Sequence, residues 1–374
     1  MTVKELIAKF EYAANNPNAL LDEYLKEGKK VIGCFPVYTP REIVHAGGMI
    51  PMGTWGGNTS IERAKEYFPA FYAAIILRLM DLGLEGKLDK MSGMIIPGLS
   101  DGLKGLSQNW KRAIKQVPAL YIGYGQNRKI EAGITYNEKQ YIKLREQLEE
   151  IAGCKIEDAK VEEAIVLYNK HRKAMQEFSS LVASHLNTIT PSLRARVMTS
   201  AFLFDKAEHL AILEELNKEL RAIPEEKFAG KKIVTTGILA NSPGMLEILD
   251  EYKLGIVDDN VNHESGQFDY LVDEGTGNPV RALSKWISDI EGSTLLYDPE
   301  KLRGQIIIDK VKKHQADGVI YLMTKFSDSD EFDYPIIRKE LENAGIMHIL
   351  VEVDQQMTNF EQAKTALQTF ADMI

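Results

Sequence analysis

Short, unbroken apolar runs punctuated by glycine and proline alternate with helical stretches, and the alternation occurs twice; no other property limits the possible folds of this chain as tightly. The first block carries the runs Lys30-Val-Ile-Gly-Cys-Phe-Pro36, Met91-Ser-Gly-Met-Ile-Ile-Pro97 and Val117-Pro-Ala-Leu-Tyr-Ile-Gly123, with helices expected from Pro40 to Gly48 and from Pro69 to Leu84. The second carries Gly230–Leu239, Leu254–Asp259, Ala316–Met323 and Met347–Val353. Helices are expected there at Met245–Tyr252, Pro279–Ile290, Arg303–His314, Pro335–Ala344 and Asn359–Met373. A run that is apolar at successive positions suits a strand buried on both faces, and strands alternating with helices imply parallel pairing through helical crossovers. The expected class is therefore α/β, with two flavodoxin-like (Rossmann-like) doubly wound parallel sheets.

The remaining segments follow a different period. Leu6, Phe10, Ala13 and Ala14, then Leu20, Leu21, Tyr24 and Leu25, recur at helical spacing and mark residues 1–29 as an amphipathic lead-in. Residues 137–222 are rich in Glu, Lys, Leu and Ala, carry few strand signals, and contain Pro191 where a helix can open. The expected organisation is a lead-in (1–29), a first α/β domain (30–136), a helical connector (137–222) and a second α/β domain (223–374).

Several function classes drop out on charge and cysteine usage. A net charge of -9 with no basic block disfavours nucleic-acid or anionic-membrane partners. The first ten residues carry charge through their apolar positions and no long apolar run follows, so a cytoplasmic protein is expected. Cys34 and Cys154 are the only cysteines and lie far apart, which argues against a disulfide scaffold or a self-contained zinc site. Cys34, inside an apolar run, reads as a buried thiol. No GxGxxG or phosphate-loop sequence follows any strand.

In doubly wound sheets ligands bind beyond the carboxyl ends of the strands. Those tips are Gly98-Leu-Ser-Asp101, Gly123-Tyr-Gly-Gln-Asn-Arg128, Asp258-Asp-Asn-Val-Asn-His-Glu264, Lys325-Phe-Ser-Asp-Ser-Asp330 and Glu352-Val-Asp-Gln-Gln356. Two facing sheets would bring them to one cleft.

Several of these tips, with the segments around them, resemble one known family. Pro36-Val-Tyr-Thr-Pro-Arg-Glu-Ile-Val-His-Ala-Gly-Gly-Met-Ile-Pro-Met-Gly-Thr-Trp-Gly56 is similar to a segment of the 2-hydroxyacyl-CoA dehydratase β subunits. Pro69-Ala-Phe71, Ser107-Gln-Asn-Trp-Lys111, Gln126-Asn-Arg128, Lys231–Leu239, Ile256-Val-Asp-Asp259, Met323-Thr-Lys-Phe326, Asp333-Tyr-Pro335 and Val351-Glu-Val-Asp-Gln355 follow in that family's order. The resemblance implies a heterodimer that removes water from an (R)-2-hydroxyacyl-CoA through a ketyl radical. It also implies a larger α subunit bearing the catalytic [4Fe-4S] cluster and a separate ATP-hydrolysing iron–sulfur activator. (R)-2-hydroxyglutaryl-CoA, giving glutaconyl-CoA, is the first substrate choice, with lactoyl-, phenyllactyl- and 2-hydroxyisocaproyl-CoA open; a flavin (FMN) or a divalent ion is neither required nor excluded.

The chain departs from that family at three places. Typical β subunits carry cluster-ligating cysteines where this sequence has Ala73, Ser100 and Ser327. The expectation is that this chain holds no cluster. Either it completes the cleft beside a cluster-bearing partner, or it is a non-catalytic scaffold or acyl-CoA-binding member of the family; an engineered cysteine-free variant is a third reading.

The candidate site residues carry paired readings. His45 and Lys325 are the candidates for catalysis, with a structural histidine the bland alternative for His45. Ser100, Asp101, Gln126, Asn127, Arg128, Asp258, Asp259, Glu264, Glu352 and Asp354 are candidates for the substrate cleft. Asp101 could instead be a helix N-cap, Asp258 and Asp259 a capping pair, and Arg128 the partner of a carboxylate such as Glu131 rather than of a CoA phosphate. Trp55 and Trp110 read as packing or interface aromatics.

Overall fold

The computed structural model describes residues 1–55, 60–354 and 357–374. Gly56, Gln355 and Gln356, at the ends of two of the motifs above, lie outside the described residues. Eight strands form two parallel sheets of four. The first joins β1 (Val31–Cys34), β2 (Ile50–Gly53), β3 (Gly93–Gly98) and β4 (Ala119–Gly123) in the order β2-β1-β3-β4. The second joins β5 (Lys231–Gly237), β6 (Leu254–Val261), β7 (Gly318–Thr324) and β8 (His348–Val353) in the order β6-β5-β7-β8. The two orders are the same winding. In each, the chain reverses direction between the first and third strands, which is where such sheets open a crevice at their carboxyl edge.

Among the described residues fourteen α-helices surround the sheets. They are α1 (Val3–Asn15), α2 (Pro17–Lys26), α3 (Arg41–Ala46), α4 (Ala74–Leu84), α5 (Asp101–Ala113), α6 (Glu131–Ala152) and α7 (Asp158–Ser184). α8 (Pro191–Ser200), α9 (Lys206–Ala222), α10 (Pro243–Glu251), α11 (Pro279–Asp289), α12 (Arg303–His314), α13 (Asp328–Asn343) and α14 (Glu361–Met373) follow. Among the described residues no helix is long and apolar enough to cross a membrane.

Local chemistry explains the ends. Thr2 and Glu5 close a reciprocal capping box on α1, and Pro191 occupies the first position of α8, where its missing N–H costs nothing. α1 buries Leu6, Ile7, Phe10 and Ala13 against α8 and α9, each large side chain contributing roughly 1.5–3 kcal/mol. The lead-in is thus part of the main hydrophobic core. That core runs without a break from the first sheet through α7 and α9 to one face of the second sheet, while the other face packs separately on α10 and α14.

Three elements differ from the sequence reading. β2 was not expected, because Pro51 sits in it; it is an edge strand paired only to β1, and there a missing N–H is tolerated. α5 was anticipated only through the reading of Asp101 as a helix N-cap and carried no range; Leu103, Leu106, Ser107 and Trp110 bury one face of it. Pro335 does not open a helix but lies inside α13, whose start is set by the acidic turn after Ser327.

Candidate functional site

The carboxyl edges of the two sheets face each other across a cavity of about 750 Å³. Phe35 and Pro36 follow β1, Gly98–Ser100 end β3, Tyr124 and Gln126 follow β4, Ile238 and Leu239 follow β5, and Thr324 ends β7 with Phe326–Ser329 after it; all line it. Gly237 makes this convergence possible. It has φ +151°, and a Cβ there would lie 2.3 Å from the Leu322 carbonyl oxygen, so only glycine lets β5 turn out of the sheet beside β7.

Ala73, Ser100 and Ser327 all line this one cavity, and each is the N-cap residue of a helix: α4, α5 and α13 respectively. Three helix N-termini, with their unsatisfied N–H groups and positive dipole ends, therefore surround one space. Ser100 Oγ accepts a hydrogen bond from the Leu103 N–H at 3.3 Å, so Ser100, not Asp101, caps α5. Asp101 is the first helical residue, almost fully exposed and paired with Lys104 at 3.0 Å. The Thr294 hydroxyl, from a loop that no sequence signal marked, is buried in the wall without a hydrogen-bond partner among the described residues.

The mouth is aromatic. Phe71 is 66% exposed, Phe332 79%, Phe326 42% and Tyr297 40%, and all four line the cavity. Phe326 holds φ +62°, a left-handed conformation unfavourable for a bulky residue, in the turn that also presents Lys325 and Ser327. Phe71 and Phe326 fall in two of the family-like segments, but none of the four was named as a site candidate; Phe332, inside the acidic start of α13, lies outside those segments.

The other candidates scatter. Gln126 lines the cavity, whereas the neighbouring Asn127 is exposed outside it. Lys325 and Asp354 line a smaller, adjoining cavity instead. Glu352 is exposed on β8, an edge strand. His45 sits on α3 with Nδ1 4.0 Å from Asp205 and its ring edge-on to Tyr168, and it lines neither cavity; burial lowers its pKa against the pull of Asp205.

Four cleft candidates are corrected outright. Arg128 is 2% exposed and spends its guanidinium on backbone carbonyls: Ile287 at 2.5 Å, Ser288 at 2.7 Å, Ile290 at 2.6 Å and Tyr297 at 3.1 Å. It terminates α11 and cannot reach a CoA phosphate; Glu131 pairs with Arg281 at 2.5 Å. Asp259 and Glu264 are buried and both accept from Arg194 of α8. Asp258 binds Lys310 at 2.7 Å and His314 at 3.1 Å. Burial opposes its ionisation, but the His314 and Lys310 bonds outweigh that and hold its carboxyl below the usual range. Asp258, Asp259 and Glu264 are internal braces because β6 is covered by α7, α10 and α12.

Cys34 is buried in β1, where burial pushes its thiol up to about 12, and Cys154 is exposed outside the cavity lining. Among the described residues no three His, Cys, Asp or Glu are placed to hold a metal ion together. The residues do not fit an iron–sulfur cluster on this chain, since cluster irons need thiolate ligands. Trp110 is a core residue whose Nε1 donates to the Val117 carbonyl at 2.8 Å; Trp55 packs edge-on against Phe202 and lines the smaller cavity.

Comparison with known proteins gives a consistent result. Residues 36–374 match the family described as 2-hydroxyglutaryl-CoA dehydratase, D-component. The (R)-phenyllactyl-CoA dehydratase beta subunit of Clostridium sporogenes is 43% identical, over 98% of this chain and 97% of its own length. The (R)-2-hydroxyglutaryl-CoA dehydratase subunit beta of Acidaminococcus fermentans is 39% identical over the full length of both chains. The lactoyl-CoA dehydratase subunit beta of Anaerotignum propionicum is 36% identical over all of this chain and 99% of its own.

Proposed function

This chain belongs to the 2-hydroxyglutaryl-CoA dehydratase D-component family, and we propose that it is the β subunit of a heterodimer that eliminates water from an (R)-2-hydroxyacyl-CoA. The observation that carries the reading is the cavity between the two carboxyl edges, rimmed by exposed Phe71, Phe332, Phe326 and Tyr297. Exposed aromatics gathered around one opening suit burial against another protein. In this reading the α subunit closes the mouth and a cytoplasmic ATP-dependent activator supplies the electron.

A [4Fe-4S] cluster held by the α subunit would supply the one-electron chemistry of the elimination. This chain's share is to wall off the reaction space from water. Helices α4, α5 and α13 aim their N-termini at that space and favour negative charge there. (R)-2-hydroxyglutaryl-CoA is the substrate to test first and (R)-phenyllactyl-CoA the second, followed by the lactoyl and 2-hydroxyisocaproyl thioesters.

The test is anaerobic co-expression with an α subunit of the same family, followed by iron and sulfide analysis and a dehydration assay with the activator. About four irons per heterodimer, all lost when the α subunit is removed, together with enoyl-CoA formation, are expected. Phe332→Glu, at an exposed site, is expected to prevent co-purification while leaving the chain folded. A complex without iron or activity would favour the second reading, a non-catalytic scaffold, for which the loss of thiols at Ala73, Ser100 and Ser327 is the motivating observation.

A further inference from the structure

The smaller cavity, about 320 Å³, lies against the carboxyl ends of β5, β7 and β8 and shares Ile75, Leu239 and Thr324 as a wall with the larger one. Its lining is rich in donors that bind nothing. Arg196 of α8 has no hydrogen-bond or ion-pair partner for its side chain among the described residues. The ammonium group of Lys325 rests 5.3 Å from the centre of the Phe326 ring, with no carboxylate paired to it among the described residues. The Thr324 hydroxyl is buried without a partner. Ser242 precedes α10 without capping it, so its hydroxyl, the Asn241 amide and the first-turn N–H groups of α10 also remain available.

Two cations and several neutral donors around one space form a donor-rich receptor. Among the described residues Asp354 is the one lining carboxylate, and its charge also acts on Arg78 of α4. Arg78 is itself 3% exposed, with Nε and Nη1 unpartnered, which adds a third cation behind the wall. A carboxylate ligand would satisfy few of these donors. A phosphoryl group, with three terminal oxygens and up to two charges, matches a guanidinium, an ammonium and a helix N-terminus together. The space exceeds what free phosphate fills, and Trp55, Leu239 and Met245 give the remaining wall an apolar surface suited to an organic moiety.

We propose that this cavity binds the phosphoryl group of an organic phosphate, with Arg196 and Lys325 on its oxygens and Ser242 and the α10 N-terminus completing the set. The inference does not depend on the dehydratase reading, because it rests on a different cavity and on residues that reading does not use.

The experiment is calorimetric titration of the full-length chain with inorganic phosphate, coenzyme A, dephospho-coenzyme A and AMP. Saturable binding of at least one organic phosphate is expected, and Lys325→Gln and Arg196→Gln should each weaken it by about tenfold or more. Lys325 is exposed, so its variant remains folded and keeps the test decisive even if Arg196→Gln does not. Coenzyme A binding tighter than dephospho-coenzyme A identifies the ribose 3′-phosphate as the source; AMP binding tighter than either identifies a nucleoside 5′-phosphate. Absence of saturable binding by all four, or equal affinity in the Lys325→Gln variant, overturns the proposal.

Discussion

Arg194 and Asp259 form an ion pair sealed inside the protein, the guanidinium 3% and the carboxylate 0% exposed. The pair ties α8 to the end of β6, and Glu264 takes the other arm of the same guanidinium. Arg194→Met would strand two buried carboxylates, so a loss of about 3–5 kcal/mol of unfolding free energy is expected. Urea denaturation measures it. A change below about 1 kcal/mol would show that Asp259 and Glu264 find other partners or water.

Arg128 satisfies the carbonyls that end α11, so its removal should act on stability rather than on substrate affinity. Arg128→Ala is expected to cost about 3 kcal/mol or more, since hydrogen bonds from a charged group contribute roughly 1.5–3 kcal/mol each. Amide exchange should accelerate across residues 287–297. A stable variant with a raised KM for acyl-CoA in the heterodimer would contradict this assignment.

His171 and His209 share a buried bond, Nε2 to Nδ1 at 3.0 Å, and His209 continues to Ser200 Oγ at 3.1 Å. Burial, reinforced by the Lys206 charge, lowers both pKa values well below the ordinary histidine value. Both rings are then neutral in the folded chain but take up protons in the unfolded chain below about pH 6.5. Their contribution is therefore intact above that pH and is lost as pH falls toward the folded pKa values. Each histidine can steepen the acid limb by up to about 1.4 kcal/mol per pH unit. Denaturation between pH 7.5 and 5 should show the limb flattening in His209→Gln; an unchanged slope would remove the pair from the acid response.

Ala73, Ser100 and Ser327 converge on one cavity from three helix N-caps, positions that lower a thiol's pKa. The triple variant Ala73→Cys/Ser100→Cys/Ser327→Cys should take up about four irons on anaerobic reconstitution, whereas the parent chain and each single variant should not. An iron-free triple variant would mean that the three positions, though neighbours, cannot share a cluster.

Much of the architecture was legible from the period of the apolar residues. Seven of the eight strands coincide with apolar runs, and Arg303–His314 is a helix over the same bounds expected from its pattern. Pro51 concealed β2, and α5 was signalled only by a possible N-cap at Asp101. The tips Ser100, Gln126 and Ser327 could be assigned to the cleft because strand ends in a doubly wound sheet point to one edge, whatever the details of packing.

The sequence alone determined the class of fold and, through ordered motifs, the family, because strand and helix periods and motif order are local properties of the chain. Tertiary structure alone decided which charged residues face a cavity. Arg128, Asp259 and Glu264 are as polar as any ligand-binding residue, and nothing in their spacing reveals that α11 ends against the first or that Arg194 arrives from α8 to meet the others. Arg196, two residues along the same helix, is left facing open space. A charge becomes a brace or a receptor according to the partner that folding brings within about 4 Å, and those partners lie tens of residues away.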